Sequence, residues 1–230
     1  MDREFELLKR IKAENDKDFS ATPKRLSLEE LDEGTKKVMS NFYTLYKNED
    51  KQVEEEKKLL IENLYAILDI LVKMGIHPGF IFNKICEYNR ERIIKGDIQP
   101  AGAAVKKRNT VFFPYGEVKE ELKKMQDYNY QGHNISLDLC YDSILTMNKE
   151  LKLPYSKIPT VLDKSRKDSY YADSYSCWIN LINADDITEE SVYLVKLLYN
   201  VVSMLVEMGI DPYKLLENKI YEENEKGKLY

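Results

Sequence analysis

The chain has little of the residue types from which several common enzyme centres are built. Its 230 residues include two histidines, His77 and His133, and three scattered cysteines without CxxC spacing. A histidine-rich zinc site or a Ser-His-Asp triad therefore has little to draw on. Scattered cysteines are typical of reduced thiols rather than of a disulfide framework, and this favours a cytoplasmic protein.

The sequence also lacks a basic surplus and an uninterrupted apolar segment. Its formal net charge of −5 argues against nucleic-acid binding, because nucleic-acid-binding proteins usually carry a basic footprint. The best apolar run, over 59–74, is interrupted by four polar residues, so we expect no membrane-spanning segment. The N-terminus is charged and amphipathic, unlike a signal peptide.

What the sequence does have is a long apolar helix pattern that occurs twice. Residues 55–78 and 189–212 align without a gap, and eleven of these 24 positions are identical. Because the two copies lie too far apart for a short-period solenoid, we interpret them as a duplicated helical unit. The predicted organisation is a first repeat over 1–96, a linker over 97–135 that contains a short extended segment and a helix, and a degenerate second repeat over 136–230.

Apolar periodicity and helix-end residues predict an all-α fold of two tandem helical bundles. Ser27 and Glu30 have capping-box spacing at the start of a helix, and Gly75 is well placed to end one. The stretch 152–186 shows no clean periodicity, so we expect it to be irregular. Its tyrosines, with Trp178, form either a stacking wall for a base, an interaction surface or ordinary packing. The predicted helices lie near 2–16, 27–47, 52–74, 78–94, 117–128, 136–148, 188–208 and 212–226.

The exceptions to the apolar pattern form one narrow stripe on each copy of the repeated helix, at spacing i, i+4, i+7, i+11. One interpretation is that the stripe faces solvent. The other is that its first residue, Glu62, points into a polar cavity, where a buried carboxylate needs a cation or hydrogen bonds. The stripe is Glu62, Ala66, Asp69 and Lys73 in the first copy and Lys196, Asn200, Ser203 and Glu207 in the second.

A second acidic feature lies at the start of the second predicted helix. Glu29 and Glu33, or Glu30 and Glu33, share a helix face. Carboxylates that converge there with a third from another helix would supply oxygen ligands for Mg²⁺. The alternative is that Glu30 only caps the helix, while Glu29 and Glu33 pair with Lys36 and Lys37 at the surface.

The order of these pieces resembles the MazG-like superfamily of all-α nucleotide pyrophosphohydrolases. That family has an EExxE motif, then an ExxD motif on a long apolar helix that ends at a Gly-Ile turn. Glu29-Glu30-x-x-Glu33 matches the first motif, and Glu62 falls at the aspartate of the second. Leu59 stands where the ExxD glutamate would be, and Lys196 takes the place of Glu62 in the second copy.

The resemblance implies Mg²⁺-dependent hydrolysis, with Mn²⁺ as a substitute, of an NTP or dNTP to the monophosphate and pyrophosphate. It also implies a homodimer or an intrachain pairing of the two repeats. The departures from the motifs favour an alternative, a catalytically inactive MazG-like fold that binds a nucleotide or a protein. The site residues that the resemblance implies are Glu29 as catalytic base, Glu30, Glu33 and Glu62 as metal ligands, and Lys84, Asn89 and Arg92 as substrate-binding residues.

Overall fold

The computed structural model of the chain describes residues 2–14, 22–48, 52–97, 112–126 and 137–228. Every regular element in these ranges is an α-helix, so the all-α prediction is confirmed. The extended segment predicted within the linker lies largely outside the described residues. The helices are α1 (Asp2–Glu14), α2 (Leu28–Lys47), α3 (Val53–Met74), α4 (Gly79–Lys95), α5 (Tyr115–Gln126), α6 (Leu137–Glu150), α7 (Lys164–Ile182), α8 (Ile187–Met208) and α9 (Tyr213–Lys228).

Local chemistry at the helix ends accounts for several of these boundaries. The Glu30 N–H donates to Ser27 Oγ at 3.2 Å and the Ser27 N–H donates to Glu30 Oε2 at 2.8 Å, which completes a capping box at the start of α2. Gly75 and Gly209 end α3 and α8 with φ values of 69° and 67°, in the left-handed region that glycine tolerates best. The predicted start of α2 and end of α3 are confirmed.

Helix α7 corrects one prediction. It occupies 19 residues of the stretch that we expected to be irregular. Its buried residues are Lys167, Ser174, Cys177 and Leu181, of which two are polar. Because polar residues occupy part of its buried face, α7 shows no apolar periodicity of 3.6 residues in the sequence.

The helices pack in a pattern that is alike in the two halves of the chain. Helix α2 packs on α3 as α7 packs on α8, and α2 also packs on α7 while α3 packs on α8. The last helix of each half crosses to the other half, because α4 lies on α8 and α9 lies on α3. The two halves are thus interlocked, and one hydrophobic core runs through both.

Helix α8 is the central helix of this core. By length and composition Ile187–Met208 could cross a membrane, so our expectation that the chain has no such segment is wrong on those criteria. However, 83% of its apolar window is buried inside the protein, and its neighbours include α3, α4, α6 and α7. A core helix that is apolar almost all round has this composition.

Two ion pairs connect the halves at equivalent positions of the repeated helix. Glu56, in the first turn of α3, pairs with Lys167 of α7, and its Oε2 accepts the Leu162 N–H at 3.1 Å. Glu190, the counterpart of Glu56 in α8, pairs with Arg25 just before α2, at 2.6 Å from Nη2 to Oε1. Each of the two glutamates therefore holds a cation from the opposite half of the chain.

Candidate binding cavity

A cavity of about 460 Å³ lies where α4 of the first half meets α7 and α8 of the second. The end of α6 and the residues after it, including Asn148 and Pro154, close one side. Small-molecule sites commonly enclose about 300–1,000 Å³, so the volume suits a metabolite. Its position follows from the exchange of the last helices, which brings α4 against α8.

The polar stripe of α8 forms one wall of this cavity, since Lys196, Asn200, Ser203 and Glu207 all line it. In the second copy, therefore, the stripe faces a polar cavity and not open solvent, as the second interpretation expected. The first copy is different, because Glu62 does not line the cavity and pairs instead with Lys37, at 3.6 Å from Nζ to Oε2.

One end of the cavity is cationic. Lys196 Nζ lies 5.3 Å from the ring centroid of Phe113 and 5.2 Å from that of Tyr193, and the Arg92 guanidinium lies 5.2 Å from that of Tyr88. Within the described part of the chain neither cation forms an ion pair with a carboxylate. Burial lowers the pKa of Lys196, and the positive charge of Arg92 acts in the same direction.

Beside this cationic end lies a polar contact between α7 and α8. The side-chain amide of Asn200 donates to Asp173 Oδ2 at 2.8 Å and to Ser174 Oγ at 3.1 Å. Asp173 and Asn200 both line the cavity, whereas Ser174 is buried behind them. The carboxylate of Asp173 is close enough to Lys196 to oppose the lowering of its pKa.

At the opposite end of the cavity, the side chains of Arg166, Tyr170 and Glu207 hydrogen-bond to one another. Arg166 Nε donates to Glu207 Oε2 at 2.8 Å, and the Tyr170 hydroxyl donates to Glu207 Oε1 at 2.6 Å. Burial, with the negative charge of Glu207, raises the pKa of Tyr170 well above its ordinary value, so this hydroxyl stays protonated and keeps donating. Arg166 and Glu207 neutralise each other in an ion pair. The positive charge that can attract an anionic ligand therefore lies at the Lys196 end.

The structure brings two of the three predicted substrate-binding residues into the cavity. Asn89 and Arg92 line it from α4. Lys84, on the same helix, does not, because its Nζ pairs with Glu117 at 2.8 Å and Glu87 at 3.2 Å. The hydrogen bond to Glu117 is the main reason that the pKa of Lys84 is raised.

The four predicted carboxylates lie elsewhere. Glu30 accepts hydrogen bonds from the Ser27 hydroxyl and N–H, and these lower its pKa. Its contacts are therefore those of a helix-capping residue, as the alternative interpretation expected. Glu29 and Glu33 are exposed on α2, and Glu62 pairs with Lys37. Across the described ranges no three His, Cys, Asp or Glu side chains are placed together to hold a metal ion.

The tyrosines around 171–178 pack between α7 and α2, outside the cavity. The rings of Tyr46 and Tyr171 stack with centroids 4.8 Å apart, and Tyr175 and Trp178 continue the row at 5.8 Å from each other. Trp178 Nε1 donates to Thr35 Oγ1 at 3.1 Å. These rings therefore do not form a base-stacking wall in this cavity, whereas packing and an interaction surface both fit them, since Tyr175 is 47% exposed.

The chain matches no protein-family model, no curated protein and no solved structure. The MazG-like resemblance is thus neither supported nor refuted by a relative, and the site is assigned from its geometry. The sequence did not reveal that Arg166 and Asp173 of α7 line the cavity. The polar stripe of α8, by contrast, was visible in the sequence and forms another wall of the cavity.

Proposed function

We propose that this chain binds an anionic small molecule of nucleotide size in the cavity and is a binding module without hydrolytic activity. The observation that carries the proposal is that Lys196 and Arg92 line one cavity and neither forms an ion pair with a carboxylate of the residues that the structure describes. A partly buried cation lacks its full hydration and gains free energy when an anion pairs with it. Lys and Arg are the usual phosphate-binding side chains.

The aromatic residues of the same end extend the proposal to a nucleotide. Tyr88 and Tyr193 line the cavity and carry the two cations over their rings. Tyrosine offers a flat apolar face together with a polar hydroxyl, a combination that suits a ligand with a planar base and a charged phosphate. Asn89 adds a side-chain amide on the α4 side.

We also infer that the chain arose by duplication of one four-helix MazG-like unit. The support is the like-for-like packing, in which α3 contacts α2, α1 and α9 as α8 contacts α7, α6 and α4. This correspondence pairs α6 with α1 and α7 with α2. Under duplication, Lys196 stands at the position of Glu62, to which the resemblance assigns a metal ligand, and a lysine there suits a phosphate instead.

The proposal predicts that nucleotide affinity depends on the cationic end. We expect Lys196→Met and Arg92→Gln each to weaken AMP and ATP binding about 10- to 100-fold, because each variant loses a charge-assisted hydrogen bond of about 1.5–3 kcal/mol. Isothermal titration calorimetry measures this. Lys84→Met is the matched control and should bind as the unmodified chain does, because Lys84 lies outside the cavity. Equal affinities in all three variants would sink the proposal.

Magnesium-dependent hydrolysis stays a prediction of the resemblance and needs its own assay. We expect no pyrophosphate release from a panel of NTPs and dNTPs with Mg²⁺ or Mn²⁺, because Glu30 caps α2, Glu62 pairs with Lys37, and no group of three such ligands forms among the described residues. Glu33→Gln and Lys196→Met serve as the two comparison variants. Metal-dependent release that Glu33→Gln abolishes and Lys196→Met leaves intact would establish the pyrophosphohydrolase and refute the inactive binding module.

A further inference from the structure

The contact between Asp173 and Asn200 fixes the hydrogen-bonding character of one stretch of the cavity wall. Both hydrogens of the Asn200 amide are used, one on Asp173 Oδ2 and one on Ser174 Oγ. An ionised carboxylate only accepts hydrogen bonds, so Asp173 determines which way round the amide lies. The Oδ1 atom of Asn200 therefore remains as an acceptor for a hydrogen bond from another group.

Two acceptor oxygens consequently remain at this place, Oδ1 of Asn200 and Oδ1 of Asp173. Neither receives a hydrogen bond from the described residues, and both side chains line the cavity. They come from adjacent helices that their own hydrogen bond holds together. A ligand group that fits here must present O–H or N–H donors, because an acceptor would meet two acceptors.

The acceptor pair lies within reach of a ligand held at the cationic end. Lys196 and Asn200 are one turn apart on α8, about 6 Å along the helix axis. Asp173 is near enough to Lys196 to influence its charge. One small molecule can therefore place an anionic group on Lys196 and Arg92 and a donor group on Asp173 and Asn200.

We propose that the ligand is a ribonucleotide whose phosphate binds Arg92 and Lys196 and whose adjacent 2′- and 3′-hydroxyls donate to Asp173 and Asn200. This inference rests on the proposed function, because it requires the phosphate in the same cavity. Each of the two sugar hydroxyls can donate one hydrogen bond, and Asp173 and Asn200, which are hydrogen-bonded to each other, each offer one acceptor oxygen. An acidic side chain that accepts from a ribose hydroxyl near a phosphate site is the arrangement by which dinucleotide-binding folds recognise the sugar.

The inference makes Asp173 a determinant of sugar specificity. Loss of the 2′-hydroxyl removes a hydrogen bond to a carboxylate, and because Asp173 is an exposed residue, water can take the place of the missing donor, so the discrimination is modest. We expect AMP to bind about tenfold more tightly than 2′-deoxy-AMP. In Asp173→Asn this ratio should fall to about two or less, because the position then presents an amide donor where it presented an acceptor.

Isothermal titration calorimetry of AMP, 2′-deoxy-AMP and GMP against the full chain tests this. The matched control is Asp168→Asn on the same helix, whose exposed carboxylate pairs with Lys164, and it should keep the tenfold ratio. Equal affinities for AMP and 2′-deoxy-AMP would overturn the sugar assignment while leaving the proposed function intact. A preference for GMP over AMP without sugar discrimination would also overturn it, with the base as the donor. If no nucleotide binds, both proposals fail.

Discussion

Replacing Lys167 by methionine is expected to lower the free energy of unfolding by about 3–5 kcal/mol, because it leaves a buried carboxylate without its cation. The side chains of Glu56 and Lys167 are 0% and 3% exposed, so water cannot take the place of the missing charge. The variant also loses a hydrogen bond from Lys167 Nζ to the Asn48 carbonyl, at 3.0 Å. Urea unfolding followed by circular dichroism measures the change.

The chain offers graded controls for this prediction. Arg25→Met breaks the equivalent ion pair with Glu190, but Arg25 is 48% exposed, so water can reach the vacated place and we expect a smaller loss of about 1–2 kcal/mol. Lys36→Met breaks an exposed pair with Asp32 and should leave the urea midpoint essentially unchanged. Equal losses in all three variants would show that burial does not govern these pairs.

Gly209→Ala is expected to cost about 3 kcal/mol, from a strained backbone together with a steric clash. Gly209 has a φ of +67°, and a Cβ there would lie 2.7 Å from the Ile158 carbonyl oxygen and 3.0 Å from that of Ser156. The chain cannot easily withdraw, because the Thr160 N–H donates to the Met208 carbonyl at 3.0 Å. Thermal and urea unfolding both report the loss.

Gly96→Ala separates the two causes. Gly96 has a φ of +75°, but a Cβ at this position meets nothing within 4 Å. We expect this variant to pay only the backbone strain, about 1–2 kcal/mol. If Gly96→Ala is as destabilising as Gly209→Ala, the contact with the segment after α6 contributes nothing, and that part of the argument is refuted.

Local chemistry explains which parts of the fold could be predicted from the sequence. The start of α2 depends on Ser27 and Glu30, three residues apart, and the end of α3 depends on Gly75. Both signals are contained in a few adjacent residues. Helix α7 could not be predicted in the same way, because Lys167 and Ser174 lie on its buried face and their partners come from other helices.

The same distinction applies to the candidate site. Arg92 was predicted from a resemblance, and Lys196 was visible as a polar residue on an apolar helix. That they share a cavity depends on α4 crossing to the other half, which no local pattern encodes. Glu56 and Glu190 are identical in the aligned copies, yet only the structure shows that each is buried against a cation of the opposite half.

The exchange of the last helices has a thermodynamic consequence. Arg92 reaches the cavity from the first half, whereas Lys196 and Asp173 belong to the second, so neither half contains the cavity by itself. A ligand can therefore bind this cavity only when both halves are folded and packed together. By mass action its binding adds RT ln(1 + [L]/Kd) to the free energy of global unfolding, about 2.7 kcal/mol at a hundredfold excess over Kd. Ligand concentration would thereby set the stability of the whole chain, rather than of one helix or one half.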